Sequence, residues 1–237
     1  MNKLTLLGLP IGNIEDLTLR GLKTLFQSDV IVAEDTRNYL KIKSIVLERY
    51  LPILKELGIN TDSKPELISY REQNHEKAAP QIIKLVQEGR EVAMISDAGM
   101  PGISDPGYRL IEVALDANLE VDVIPGPTAV DTALVISGLP TDKFAFLGFL
   151  SREKSKIKKT LDPFIELPAS IILYESPYRV VKTLEVISGI SENIEVAACN
   201  DLTKKFQKVY RGKILDVITQ LKEAKILGEW VLVLRKS

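Results

Sequence analysis

The sequence predicts an α/β protein whose first half builds a mainly parallel sheet. Three observations carry this: short apolar runs recur along the chain, helix-period patterns separate them, and Gly/Pro-rich loops follow them. A strand buried on both faces reads as a continuous apolar run, and repeated βα units impose right-handed crossovers. The second half alternates less cleanly.

The strands expected in the first half are Leu4–Leu7, Val30–Ala33, Leu67–Tyr70, Val92–Ile95 and Val121–Ile124. Leu19, Leu22 and Phe26 mark a helix after the first of them. Ala79, Ile82, Ile83 and Val86 fall at i, i+3, i+4 and i+7, one face of a helix that Gly89 can end. Leu110, Ile111, Ala114 and Leu115 form a similar stripe. Pro125-Gly-Pro127 is stiff punctuation before Thr128, which is suited to cap a helix. It sets the expected domains at 1–126 and 127–237. Beyond it, strands are expected at Phe144–Leu150, Ser170–Tyr174, Ile194–Cys199, Phe206–Arg211 and Trp230–Leu234. Phe206–Arg211 alternates, as an antiparallel or half-exposed strand does.

Length and composition bound the function. The 237 residues suffice for one large domain or two of ordinary size. Lys plus Arg is 31 against 32 for Asp plus Glu, so no global basic field advertises nucleic-acid binding. Two segments are nonetheless locally basic. Ser151 to Lys159 and Asp201 to Lys213 each hold five cations against one acid, a net +4. Such runs are usually solvated faces, but these lie near strand ends, where a phosphate backbone could be met. Cys199 is the only cysteine, which excludes an internal disulfide and suits a reducing compartment; as part of an apolar run it reads as core. His75 has no second histidine or cysteine pair near it, so no metal site is expected. No apolar stretch approaches the ~20 residues of a membrane span, and Met1–Gly12 makes a poor signal peptide. A cytoplasmic location is expected.

The loops after the strands carry the chemistry. Ser96-Asp-Ala-Gly-Met-Pro-Gly-Ile-Ser-Asp-Pro-Gly107 packs glycines, prolines and two aspartates into a segment with little to bury. In an open α/β sheet, ligands bind beyond the carboxyl ends of strands. Asp97 and Asp105 therefore read as acceptors for sugar hydroxyls or as a general base, while Asp105 also suits a helix cap ahead of Pro106. Gly8-Leu-Pro-Ile-Gly-Asn13, Glu34-Asp-Thr-Arg37, Tyr174-Glu-Ser-Pro-Tyr-Arg179 and Asn200-Asp-Leu-Thr-Lys-Lys205 follow other strands in the same way. Taken alone, Gly8–Asn13 reads first as a tight turn and Glu34–Arg37 as a surface-paired helix start, while Tyr174–Arg179 and Asn200–Lys205 suit a polar ligand or an internal ion pair alike. Neither a dinucleotide fingerprint nor a phosphate-binding P-loop occurs.

Taken in order, these loops resemble the tetrapyrrole methylase superfamily, and within it the family that methylates small-subunit ribosomal RNA. The residues that carry the resemblance are Pro10-Ile-Gly-Asn13, Ala33-Glu-Asp-Thr-Arg37, Ser96–Gly99 with Pro101–Arg109, Pro125-Gly-Pro127, Ser137–Asp142, Tyr174-Glu-Ser-Pro177 and Leu202-Thr-Lys204. The resemblance implies two α/β domains, the second with a mixed sheet, and S-adenosylmethionine held in a cleft between them. It also implies a homodimer, no metal, and 2′-O-methylation of a cytidine in the decoding region of small-subunit (16S) rRNA, with that RNA or the 30S subunit as partner. Carried to matching positions, Leu9, Asp97, Met100, Ile103, Thr128, Ala129, Tyr174 and Asn200 are the expected cofactor contacts. Asp35, Asp97 and Asp105 are the carboxylates that could take the hydroxyl proton, and Lys204 could stabilise the developing oxyanion. The chain departs from the family pattern at Leu9 (usually Thr), Tyr178 (usually His) and Asn200-Asp201 (usually Arg-Glu). Two alternatives stay open on the residues: a methylase of a small tetrapyrrole-like substrate, and a non-catalytic RNA-binding protein of the same fold.

Overall fold

The computed structural model describes residues 2–191 and 193–236. The chain divides into two compact units between Thr128 and Ala129.

The first unit contains β1 (Lys3–Leu7), α1 (Leu19–Gln27), β2 (Val30–Ala33), α2 (Thr36–Glu56), β3 (Glu66–Ser69), α3 (His75–Gln87), β4 (Val92–Ile95), α4 (Gly107–Asp116) and β5 (Glu120–Ile124). Its sheet runs β3-β2-β4-β1-β5 and is parallel throughout. The uniform apolarity of Val30–Ala33 and Val92–Ile95 has a direct cause. Val30, Val32, Val92 and Met94 pack on one face with Ile82, Val86 and Leu110 of α3 and α4. Ile31, Ala33, Ala93 and Ile95 pack on the other with Leu25, Phe26, Tyr39 and Leu54 of α1 and α2. Because every strand is parallel, the loops after β1, β2, β4 and β5 emerge at one edge.

Three details depart from the sequence pattern. The long helix α2 has no complete apolar stripe: only Tyr39, Val46 and Leu54 are buried, and Pro52 lies inside it. In α4 the stripe narrows to Leu110 and Ala114, and Leu115 is exposed. That helix also starts at Gly107, one residue later than a first-turn Pro106 would give.

The second unit contains α5 (Ala129–Ser137), β6 (Phe144–Phe149), α6 (Lys154–Ile165), β7 (Ser170–Glu175), α7 (Val180–Ser188), β8 (Ile194–Asn200), β9 (Lys208–Lys213), α8 (Ile214–Glu223) and β10 (Trp230–Lys236). The sheet order is β6-β7-β10-β8-β9. Only β6 and β7 are parallel; β10 is antiparallel to β7 and β8, and β9 to β8. One face carries Ile171, Leu173, Val196, Ala198 and Leu232 against α6, α7 and α8, and α5 packs on β7, β8 and β10. Phe206 stays outside β9 in a turn closed by the Gln207 amide donating to the Lys204 carbonyl. Among the described residues no helix is long and apolar enough to cross a membrane.

Candidate active site

In the first unit, three loops at the carboxyl edge of the sheet are joined to one another. The Leu9 amide donates to the Gly99 carbonyl at 2.8 Å, and the Gly99 amide returns a bond to Leu9 at 3.1 Å. The Gly8 amide donates to Ile124 at 3.0 Å, and the Gly126 amide meets Met100 Sδ at 3.2 Å. Glycine is required where these backbones cross. A Cβ on Gly8 would lie 2.5 Å from Met100 Sδ and 2.6 Å from the Gly126 nitrogen, and one on Gly126 would lie 2.8 Å from the Gly8 carbonyl carbon. The Ser96 hydroxyl fastens its own loop by donating to Ala98 and Gly99 carbonyls. The edge is thus a built platform rather than three separate turns.

The expected residues take distinct places on it. Leu9 is fully buried with its amide and carbonyl both engaged, so its side chain faces the core and its part is to hold two loops together. Met100 lies under Gly8 and Gly126, while Ile103 is exposed. Asp97 is exposed, with one carboxylate oxygen accepting from Asn38 Nδ2 at 2.8 Å. Asp105 Oδ1 accepts from the Gly102 and Gly107 amides at 2.8 and 2.7 Å, closing the loop and the start of α4. Burial raises the proton affinity of its carboxyl despite those two amides, and the nearby Asp97 charge adds to the rise.

Asp35 has a different environment. It caps α2 through the Arg37 amide at 2.9 Å and holds the Arg37 guanidinium through both of its oxygens. The Arg37 hydrogen bonds bring its pKa down to about 2. Its neighbour Glu34 goes the other way, raised by burial and by the charges of Asp97 and Asp105. The Glu34 main-chain carbonyl accepts from Arg71 Nε at 2.8 Å. Glu34 was legible as half of a carboxylate pair. Asn38 and Arg71 had no sequence signal, since one is an ordinary helix position and the other follows a short strand.

In the second unit, Ala129 opens α5 directly after Thr128. Tyr174 stands edge-on to Phe146 and Phe149, at ring separations of 4.7 and 5.6 Å, and burial pushes its hydroxyl up to about 12. Glu175 is buried, accepting from Thr183 Oγ1 at 2.6 Å and pairing with Arg179. Asn200 donates its side-chain amide to the Leu227 and Glu229 carbonyls. Lys204 pairs with Asp201 at 3.0 Å and Glu229 at 2.6 Å. Burial works against its charge, but these bonds outweigh it and raise its pKa.

A doubly wound parallel sheet with glycine-joined loops, followed by a mixed α/β unit, defines a class. A family model described as Tetrapyrrole (Corrin/Porphyrin) Methylases matches residues 3–218. The ribosomal RNA small subunit methyltransferase I of Thermotoga maritima is 41% identical over 234 residues, covering 99% of this chain and 98% of that protein. That of Hydrogenobaculum sp. is 43% identical over 236 residues, covering 99% and 96%. The chain belongs to the tetrapyrrole methylase family, in the branch of the ribosomal RNA small subunit methyltransferases I. Among solved structures, diphthine synthase matches with a TM-score of 0.71 at 14% identity, covering 99% of this chain and 90% of that one. A uroporphyrin-III C-methyl transferase from Thermus thermophilus complexed with S-adenyl homocysteine matches with a TM-score of 0.65 at 16% identity, covering 98% and 97%. These two likenesses concern the fold.

Proposed function

We propose that this chain methylates the ribose 2′-oxygen of a cytidine in the decoding region of small-subunit ribosomal RNA, with S-adenosylmethionine as methyl donor. The observation that carries the reading is the joined platform of the β1, β4 and β5 loops, in a chain 41% identical to a ribosomal RNA small subunit methyltransferase I. The platform suits an adenosyl ligand: it offers an exposed carboxylate at Asp97 for sugar hydroxyls and apolar surface at Ile103. Leu9 and Met100 hold the loops in place. Thr128, Ala129, Tyr174 and Asn200 are assigned as further cofactor contacts on the family pattern.

S-adenosylmethionine supplies an electrophilic methyl group on a sulfonium. The chain must then hold the ribose hydroxyl in line and remove its proton. With S-adenosylmethionine bound, the aligned ribose oxygen would take the methyl group from the sulfonium while the hydroxyl proton passes to a carboxylate of this chain. We assign that role to Asp105, whose burial favours the proton. Asp35, held at about 2 by Arg37, is a poor proton acceptor and acts by fixing the start of α2. Lys204, already paired with two carboxylates, acts as a positioning residue. The protein works as a homodimer in the cytoplasm.

The test is Asp105→Asn, because an asparagine Oδ1 still accepts from Gly102 and Gly107 while losing the proton site. Turnover on 30S subunits is expected to fall by about 10²-fold or more, with S-adenosylmethionine affinity unchanged by calorimetry. Unchanged turnover removes Asp105 as base. Mapping ribose methylation in rRNA from cells with and without the protein tests the target itself; an intact pattern in its absence overturns the assignment.

A further inference from the structure

The first basic segment converges, with α7, on a groove that the chemistry above does not use. Two adjoining concavities between α6 and α7 share Lys154, Tyr178, Lys182 and Val186. Arg152 borders one and Lys158 the other. No ion pair engages Arg152, Lys154, Lys158 or Lys182 among the described residues. The acids nearby are neutralised elsewhere: Glu185 pairs with Lys222 at 2.7 Å, and Glu153 with Lys156 at 3.0 Å. Among the described residues the groove's cations outnumber its one lining acid, Glu185, which is held by Lys222.

This arrangement works against the stability of the helices that carry it. Lys154, Lys156 and Lys158 lie in the first turns of α6, which have no acidic residue, and Lys182 lies in the first turn of α7. Cations are disfavoured at a helix N-terminus, and like charges at i and i+4 repel. An external polyanion would relieve both penalties. Tyr178 stands between the cations with 95% of its surface exposed. Arg179 holds the turn that presents it, donating to the Leu150 and Ser151 carbonyls at 3.0 and 2.9 Å while pairing with Glu175. An aromatic ring on a rigid turn among free cations is the chemistry that binds single-stranded RNA, with phosphates on the cations and a base on the ring.

Building on the proposed function, we infer that the α6–α7 groove is a docking surface for an unpaired segment of the substrate RNA, with Arg152, Lys154, Lys158 and Lys182 on phosphates and Tyr178 stacking a base. The inference is tested with purified protein, naked 16S rRNA and assembled 30S subunits. The variant K154A/K158A/K182A is expected to bind naked rRNA about 10-fold or more weakly, and its slope of log affinity against log salt falls by about 2, near 0.7 per phosphate lost. Tyr178→Ala weakens binding about 5-fold or more, and Tyr178→Phe restores it. S-adenosylmethionine affinity stays at the wild-type level in all three variants; thermal stability is not lowered in any of them and rises in the triple variant, which loses the unfavourable charges at the helix N-termini. Unchanged affinity and salt slope in the triple variant overturn the groove while leaving methyl transfer intact. Loss on 30S subunits with none on naked rRNA assigns the surface to a ribosomal protein and likewise overturns it. Failure of the wild-type protein to methylate rRNA instead strikes the proposed function.

Discussion

The two basic segments carry the same net charge but are placed differently by the fold. In Ser151–Lys159, four of five cations have no ion-pair partner among the described residues, and three of those four border the α6–α7 groove. In Asp201–Lys213 two of the five cations, Lys204 and Arg211, are tied into the fold. Lys204 locks a loop between Asp201 and Glu229. Arg211 donates to the Ser137 and Ile136 carbonyls, satisfying groups left open at the C-terminal end of α5. Lys208 and Lys213 sit at the two ends of β9, the edge strand of its sheet, where charge discourages pairing with another chain. Lys205 lies over the exposed Phe206 ring at 5.6 Å. Lys205, Lys208 and Lys213 have no ion-pair partner among the described residues either, so the segments differ in placement: only the first brings its unmatched cations to a groove beside an exposed aromatic ring.

The sharpest way to break this contrast is to reverse each set of charges. K154E/K158E/K182E is expected to weaken rRNA binding by about 100-fold at moderate salt, whereas K205E/K208E/K213E weakens it by no more than about 3-fold. Equal losses would show a diffuse field and erase the distinction. Next in size is Gly228→Ala. Gly228 has φ +72°, and a Cβ there would collide with the Asp201 carboxylate, so unfolding free energy should drop by about 2 kcal/mol in a denaturant titration. Binding of RNA at the α6–α7 groove should not change. Arg211→Ala should cost about 1 kcal/mol, since its bonds are largely exposed, and it too should leave the RNA salt slope alone.

The smallest effect expected is that of Lys204→Met, about 0.5 kcal/mol after solvent screening. Its pH dependence is more telling than its size. The folded-state pKa is raised, so the stabilisation is complete below the ordinary lysine value of 10.5 and is lost as pH climbs through the folded value. The variant's stability should therefore converge on that of the wild type at strongly alkaline pH. A constant gap between the two curves would show that the ion pairs are not the source.

Much of the platform is legible in the order of residues along the chain. Val30–Ala33 and Val92–Ile95 read as buried strands because both their faces meet helices, and the loops after them stand out because glycine, proline and aspartate pack no core. The helix α2 is not legible in this way, because its three buried side chains are too widely spaced to make a stripe. The joining of Leu9 to Gly99, and of Gly8 to Gly126, is also hidden: these partners are remote in the chain and meet only through the strand order β4-β1-β5. Asp35 and Asp105 look alike as loop carboxylates. Arg37 and burial separate them, one held at about 2 and the other raised.

By itself the sequence determined the layered α/β plan, the family, the positions of the chemistry-bearing loops and the two local excesses of positive charge. Tertiary structure alone decided which carboxylate favours a proton and which lysines remain unmatched. The physical reason is range. Apolar periodicity and loop composition act between near neighbours in the chain, whereas a charge is neutralised by whatever lies within a few ångströms in space. For Lys204 that is Glu229, from a remote loop; for Lys154, Lys158 and Lys182 no ion pair forms among the described residues, since Glu185 beside them is held by Lys222.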